Sequence, residues 1–249
     1  MSLTETLLEL QRLTVRLRRD CPWDREQTAE TIVPHTVEEA YEVADAAASG
    51  DPARLVDELG DLLYQVFFLS LLLEERGEGD LDTVARGIHD KLVRRHPHVF
   101  GDVEAETAGR VRENWERIRV REDEGLFRGI SRGLPALVFA RKVQQRAAGI
   151  GFEYPDVEGA LADLEDELRE LREAPPDEAA DELGDVLFAA VNVARRLGAD
   201  PELALRGATL RFVDRVETAE RLAAAEGREF AGLALDEQDR YFDLAKETL

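Results

Sequence analysis

One acid-bearing stretch occurs twice in this chain, and the repeat constrains the fold more than any other feature. Val56-Asp57-Glu58-Leu59-Gly60-Asp61-Leu62-Leu63 is answered by Ala180-Asp181-Glu182-Leu183-Gly184-Asp185-Val186-Leu187, with the core Asp-Glu-Leu-Gly-Asp identical in both. The order holds on either side. Glu39-x-x-Glu42 precedes the first copy and Glu167-x-x-Glu170 the second. Downstream, Lys91 and Arg95 correspond to Arg211 and Arg215, and Trp115 with Arg119 corresponds to Phe242 with Lys246. Self-similarity on this scale marks two related modules, and 249 residues suffice for two small cores.

The periodicity around the repeat is helical. Leu3, Leu7, Leu10, Leu13 and Leu17 recur at steps of three and four, and no period-two run suggests a strand, so an all-α fold is expected. Helix boundaries are predicted at Cys21-Pro22-Trp23-Asp24, Gly50-Asp51-Pro52, Gly77 to Asp80, Pro97, Gly101, Pro155, Pro175-Pro176 and Gly198 to Pro201. Gly125, Gly129 and Gly133 among charged residues predict a linker over 122–134, between a first module at 1–121 and a second at 135–249.

Residues three apart share a helix face, so Glu39 with Glu42 and Glu58 with Asp61 form two acidic pairs that antiparallel helices would turn toward each other. An isolated pair of this kind is usually only a solvated face. Here Asp61 runs straight into Leu62-Leu63-Tyr64-Gln65-Val66-Phe67-Phe68-Leu69, apolar on nearly every side, which predicts partial burial of the acids at its head. Clustered carboxylates in a low dielectric repel one another and call for a bound cation or raised pKa values. An all-oxygen donor set suits a hard ion such as Mg²⁺. None of His35, His89, His96 or His98 follows a glutamate at the spacing of a di-iron site. A helix apolar all round also calls for neighbours beyond its own short module, which predicts homodimerisation.

The formal charge of −22 opposes binding to nucleic-acid polymers and to anionic membranes. Mg²⁺ on the acids can still reverse the local field for a small triphosphate. Within this acidic chain Lys91, Arg94 and Arg95, and again Arg211 and Arg215, gather positive charge on helix faces where phosphate binding competes with surface salt bridges. Trp23 and Trp115 are candidates to stack on a base or to fill the core. A single cysteine, Cys21, the lack of a basic start followed by an apolar stretch, and no apolar run near the ~20 residues a membrane requires lead us to expect a soluble, cytoplasmic protein. Motifs for P-loops, serine hydrolases and dinucleotide folds are missing.

Taken together, Glu38-Glu39-Ala40-Tyr41-Glu42 followed by Glu58-Leu59-Gly60-Asp61 resembles the signature of the MazG family of nucleoside triphosphate pyrophosphohydrolases, in its long two-module form. Cys21-Pro22-Trp23-Asp24, Arg94-Arg95-His96-Pro97-His98-Val99-Phe100, Leu134-Pro135-Ala136-Leu137 and Gly149-Ile150-Gly151-Phe152 extend the likeness along the chain. The resemblance implies tandem helical modules, each completing a four-helix-bundle-type core by dimerisation. It also implies Mg²⁺-dependent cleavage between the α- and β-phosphates of nucleoside triphosphates, with Mn²⁺ as a substitute. By position, Glu39, Glu42, Glu58 and Asp61 would hold metal, as would Glu167, Glu170, Glu182 and Asp185. Glu38 and Glu39, with Asp166 and Glu167, would be the catalytic acids, the first of each pair acting on the attacking water. Lys91, Arg95, Arg211 and Arg215 would contact phosphates, and Trp115, Phe242 and Lys246 would complete the substrate site.

The resemblance implies activity mainly in the second module, whereas strict agreement with the signature favours the first, because the chain departs from the family pattern in its second module. Asp166 stands where the signature has its first glutamate, Phe242 replaces a tryptophan, and Asp163 and Thr209 lie where a basic residue and an asparagine are common. The alternative expectation is a regulatory dimer that binds nucleotide without turning it over.

Overall fold

The computed structural model describes residues 2–101, 107, 109–111, 114–115, 118–119 and 125–248. Leucine spacing produces the first helix, α1 (Leu3–Asp20), which Ser2 and Glu5 start with a reciprocal capping box. Pro22 opens the short α2 (Pro22–Glu26), where its missing N–H costs nothing. Thr28 caps α3 (Ala29–Ser49), which ends at Gly50 with φ of 70°. Only Gly50 and Asp51 then separate α3 from α4 (Pro52–Arg76), so the two form a tightly packed antiparallel hairpin. Next come α5 (Leu81–Arg95) and the single turn α6 (Pro97–Phe100).

A second series follows: α7 (Ala136–Ala148), α8 (Val157–Glu173), α9 (Ala179–Arg196), α10 (Pro201–Ala225) and α11 (Leu235–Thr248), with a 3₁₀ turn at Phe230–Gly232. Asp156 and Asp200 cap α8 and α10 through their side chains. Among the described residues there is no strand, and the fold is all-α. No described helix is long and apolar enough to cross a membrane.

The chain divides into two compact units, Met1–Val111 and Arg112–Leu249. This division falls before the glycine-bearing segment that the sequence suggests as the linker, so Trp115 and Arg119 belong to the second unit. In the first unit Ile32, Phe68 and Leu72 are buried between α3 and α4, with Ala29, Tyr64 and Leu69 packed around them. Arg18 joins three helices there. Its Nε and Nη2 each donate to the Glu75 carboxylate at 2.8 Å, and its Nη1 donates to the Asp24 and Gln27 carbonyls. In the second unit Ala219, Ala223, Tyr241 and Ala245 seal α10 against α11, the alanines allowing close approach.

The helix expected to be apolar all round is covered on one side only. Phe67, Phe68 and Leu72 of α4 are buried, whereas Val56, Leu59, Leu63 and Val66 form an exposed stripe on it. Leu183 and Leu187 repeat part of that stripe on α9. Gly60 and Gly184 lie within these stripes, and a Cβ added at either would meet nothing within 4 Å.

Candidate functional site

The α3–α4 hairpin brings Glu39 opposite Glu58 and Asp61. One carboxylate oxygen from each lies within 4.8 Å of the others, and the α8–α9 hairpin gathers Glu167, Glu182 and Asp185 within the same limit. In each trio the two glutamates are partly buried and the aspartate is exposed. Glu42 and Glu170, one turn along their helices, stand outside the converging trios. Glu42 remains close enough to share a hydrogen bond with Glu39.

Electrostatics treats the two clusters alike. Burial holds the Glu39 carboxyl above its ordinary pKa, reinforced by Asp61, Glu42 and Glu58. Burial likewise raises Glu167, followed by the charges of Asp185, Glu170, Asp163 and Glu182. Ionising either acid is harder than for a free glutamate, and a cation among the oxygens would offset that cost. The donor chemistry fits one: several carboxylate oxygens on a rigid hairpin, open on the solvent side, match a hard divalent ion that keeps waters and takes phosphate oxygens. The clusters differ in their flanks. Arg54 lies 3.6 Å from Glu58 in the first, while Glu178 holds the matching place four residues before Glu182, and Asp163 adds a further acid.

The acids expected to act on water are both exposed and each has a companion on its own helix. His35 Nδ1 lies 3.1 Å from Glu38 Oε2, and the Trp23 ring meets His35 edge-on at 6.0 Å. Trp23 is half-exposed, so it is not a core residue. Asp166 instead accepts from Arg169 Nη2 at 2.8 Å.

Lys91 lies exposed near the end of α5, with Arg95 one turn on. Arg211 and Arg215 lie one turn apart on α10, which puts them on one face. Lys91, Arg211 and Arg215 pair with no described acid, although the chain carries 54 Asp and Glu. The Arg119 guanidinium lies 5.0 Å from the Trp115 ring and the Lys246 ammonium 5.0 Å from that of Phe242, so the two aligned pairs share one cation–π arrangement. Phe242 also packs against Phe212.

Sequence reasoning missed a cavity of about 540 Å³ in the second unit, walled by Phe127, Val143, Phe152 and Phe188. Asp163 and Tyr154 line it as well. The Tyr154 hydroxyl donates to Asp163 Oδ1 at 2.7 Å, and this bond, with burial and neighbouring acids, raises the phenol's pKa. Its ring lies so close to α8 that a Cβ at Gly159 would come within 3.1 Å of it. Deeper in, Arg195 pairs with Glu153 and donates to Asn192 at 2.7 Å. Burial pushes Glu153 up, but the hydrogen bond from Arg195 and the charges of Arg195 and Arg196 prevail and lower its pKa. The available signal was the aromatic content around Gly149-Ile150-Gly151-Phe152, which carried no assigned role.

Comparison with known proteins bears on both units. Residues 27–100, which contain the first cluster, match the MazG nucleotide pyrophosphohydrolase domain. Over 237 residues, 91% of this chain and 90% of the relative, the chain is 42% identical to the nucleoside triphosphate pyrophosphohydrolase of Escherichia coli strain K12. It is 39% identical over 245 residues to the nucleoside triphosphate pyrophosphohydrolase/pyrophosphatase MazG of Thermotoga maritima, covering 96% of this chain and 94% of that one. Against the nucleoside triphosphate pyrophosphohydrolase of Mycobacterium tuberculosis the identity is 30% over 228 residues, or 90% of this chain and 61% of the relative. These likenesses span both carboxylate hairpins, and the chain belongs to the MazG nucleotide pyrophosphohydrolase family.

Proposed function

We propose that this chain hydrolyses nucleoside triphosphates to the monophosphate and pyrophosphate with Mg²⁺ at one or both carboxylate clusters. The observation that carries this reading is the convergence of Glu39, Glu58 and Asp61, and of Glu167, Glu182 and Asp185, on two matching helical hairpins. The names of the relatives support the substrate class.

Without a cation the trios repel a triphosphate, so productive binding depends on metal. Mg²⁺, or Mn²⁺ in its stead, supplies charge that polarises the phosphoryl oxygens and offsets the leaving pyrophosphate. Glu42 and Glu170 complete the ligand sets from one turn away. Lys91 with Arg95, and Arg211 with Arg215, engage the outer phosphates, a reading supported by their charge and their one-turn spacing along α5 and α10. Trp115, and Phe242 with Lys246, flank the nucleotide.

Glu38 takes the proton of the attacking water while the water oxygen bonds to the α-phosphorus and the bond to the bridging oxygen breaks. Glu39 lies beside it. His35 orients Glu38, whereas Asp166, beside Glu167, is one methylene shorter and held by Arg169. That difference favours the first unit for turnover, and for the second unit it supports binding with slower or no product formation. We further propose modules at 1–121 and 135–249 joined by 122–134. They act as a cytoplasmic homodimer closed over the exposed stripe Val56, Leu59, Leu63 and Val66, with neither a nucleic-acid polymer nor a membrane as partner.

The test is product analysis on the intact chain with Mg²⁺ and a panel of triphosphates. Pyrophosphate and monophosphate are expected in equal amounts, with turnover falling at least about 100-fold in the double variant Glu39→Ala, Glu167→Ala while helicity is retained. Orthophosphate as the first product would overturn the assigned bond. Mg²⁺-dependent nucleotide binding with no product after long incubation would favour the regulatory reading for the whole chain.

A further inference from the structure

The geometry points to Asp163 as a specificity residue of the second unit, whose carboxylate accepts a hydrogen bond from a sugar hydroxyl of the bound nucleotide. This inference rests on the proposed triphosphate chemistry at the neighbouring cluster.

Spacing along the helices sets the levels of the cavity. At 1.5 Å rise per residue, Asp163 lies about 6 Å along α8 from Glu167, and Phe188 about 4.5 Å along α9 from Asp185. Asn192 is about 10 Å from Asp185 on the same scale. A nucleotide anchored by its phosphates at the carboxylates therefore brings its sugar to the level of Asp163 and Phe188, and its base to that of Asn192 and Arg195. All four of these residues line the one cavity.

At the sugar level the wall from α8 and the segment before it is acceptor-only. Tyr154 directs its proton to Asp163 Oδ1, leaving Oδ2 and a further lone pair for a ligand. Such an edge repels phosphate and has no use for an apolar group, but it suits a hydroxyl donor. The donors a nucleotide carries between its phosphates and its base are the hydroxyls of its sugar. The acceptor is also held in place. Gly159 lets the Tyr154 ring lie flat against α8, and the ring's hydroxyl fixes the carboxylate one turn on. In the first unit the residue four before Glu39 is His35, which is engaged with Glu38, so sugar reading of this kind belongs to the second unit.

The experiment uses the full chain with the first unit silenced by Glu39→Ala, and compares ATP, 2′-deoxy-ATP and 3′-deoxy-ATP. Loss of the hydroxyl that Asp163 reads is expected to lower kcat/KM about tenfold or more, as for a hydrogen bond to a charged acceptor, and the deoxy arm that falls identifies that hydroxyl. Adding Asp163→Ala should level the nucleotides, Asp163→Asn should keep part of the preference, and Tyr154→Phe should weaken it without altering the Mg²⁺ requirement. Equal kcat/KM for all three nucleotides with Asp163 present overturns the inference, as does a preference that survives Asp163→Ala. It also falls if Asp163→Ala lowers all three equally and shifts the Mg²⁺ requirement, which would make Asp163 part of the metal site. If the unmutated chain releases no pyrophosphate from any nucleotide, the proposed activity fails separately. In that case, or if Glu39→Ala alone abolishes turnover, the comparison is read from Mg²⁺-dependent binding of the three nucleotides, where equal affinities overturn the sugar reading.

Discussion

Glu39 and Glu167 keep their protons to higher pH than a free glutamate because burial and neighbouring acids oppose their ionisation. A folded-state pKa above the unfolded value contributes stability below the ordinary carboxylate pKa and loses it as pH rises through the raised one. In chelator at pH 7 both groups are therefore a burden on the fold. Glu39→Gln and Glu167→Gln should each raise the melting temperature there, lose that advantage near pH 4, and give a smaller increase on adding Mg²⁺ than the unmutated chain. Melting curves at the two pH values with and without Mg²⁺ check this, and glutamine variants less stable under every condition would contradict it. The trios were legible in the sequence because three-residue spacing fixes a helix face. That spacing does not say which acids reach across to the facing helix, and in the fold Glu42 and Glu170 lie one turn from the trios that converge. The Tyr154–Asp163 bond was not legible: its partners are nine residues apart across a turn, and their meeting depends on the bare backbone at Gly159.

Helix boundaries could be read in advance because each rests on local chemistry. The glycine at 50, the prolines at 22, 52, 97 and 201, and the aspartate caps act within one turn of themselves. Pro34 lies inside α3 without ending it, since packing on α4 continues past the missing hydrogen bond. Long-range ties such as Arg18 leave no such mark. Its guanidinium is largely buried and satisfies one carboxylate and two carbonyls on other elements, so Arg18→Ala leaves several acceptors without their donor. About 2 to 3 kcal/mol of stability should be lost in urea unfolding. Removing the exposed Arg86–Asp82 pair should cost no more than about 0.5 kcal/mol. Equal effects from the two would show that the Arg18 fork is as dispensable as an ordinary surface pair.

For the molecule as a whole, the repeat made two acid clusters legible, because the shared Asp-Glu-Leu-Gly-Asp segment sits on a helical hairpin in each unit. The described units divide near residue 111, and the glycines that suggest a linker lie further along the chain. An apolar sequence also does not reveal which face of α4 its own chain covers: Phe67, Phe68 and Leu72 are buried within the unit, and Val56, Leu59, Leu63 and Val66 are not. The exposed stripe gives an oligomer prediction. Leu63→Arg should convert the proposed dimer to a monomer by light scattering with helicity retained, and an unchanged mass would assign another role to that face.

The glycine inside each exposed apolar stripe, beside the acids of its helix, has a consequence for reach. In the middle of a helix glycine is about 1 kcal/mol worse than alanine, and within the unit nothing crowds the place a methyl group would take at Gly60 or Gly184. Each helix thus carries a notch one residue wide next to its acids, where main-chain atoms form the outer surface. Whatever settles there, whether another helix or the edge of a ligand, can come nearer the helix axis by the depth of a side chain.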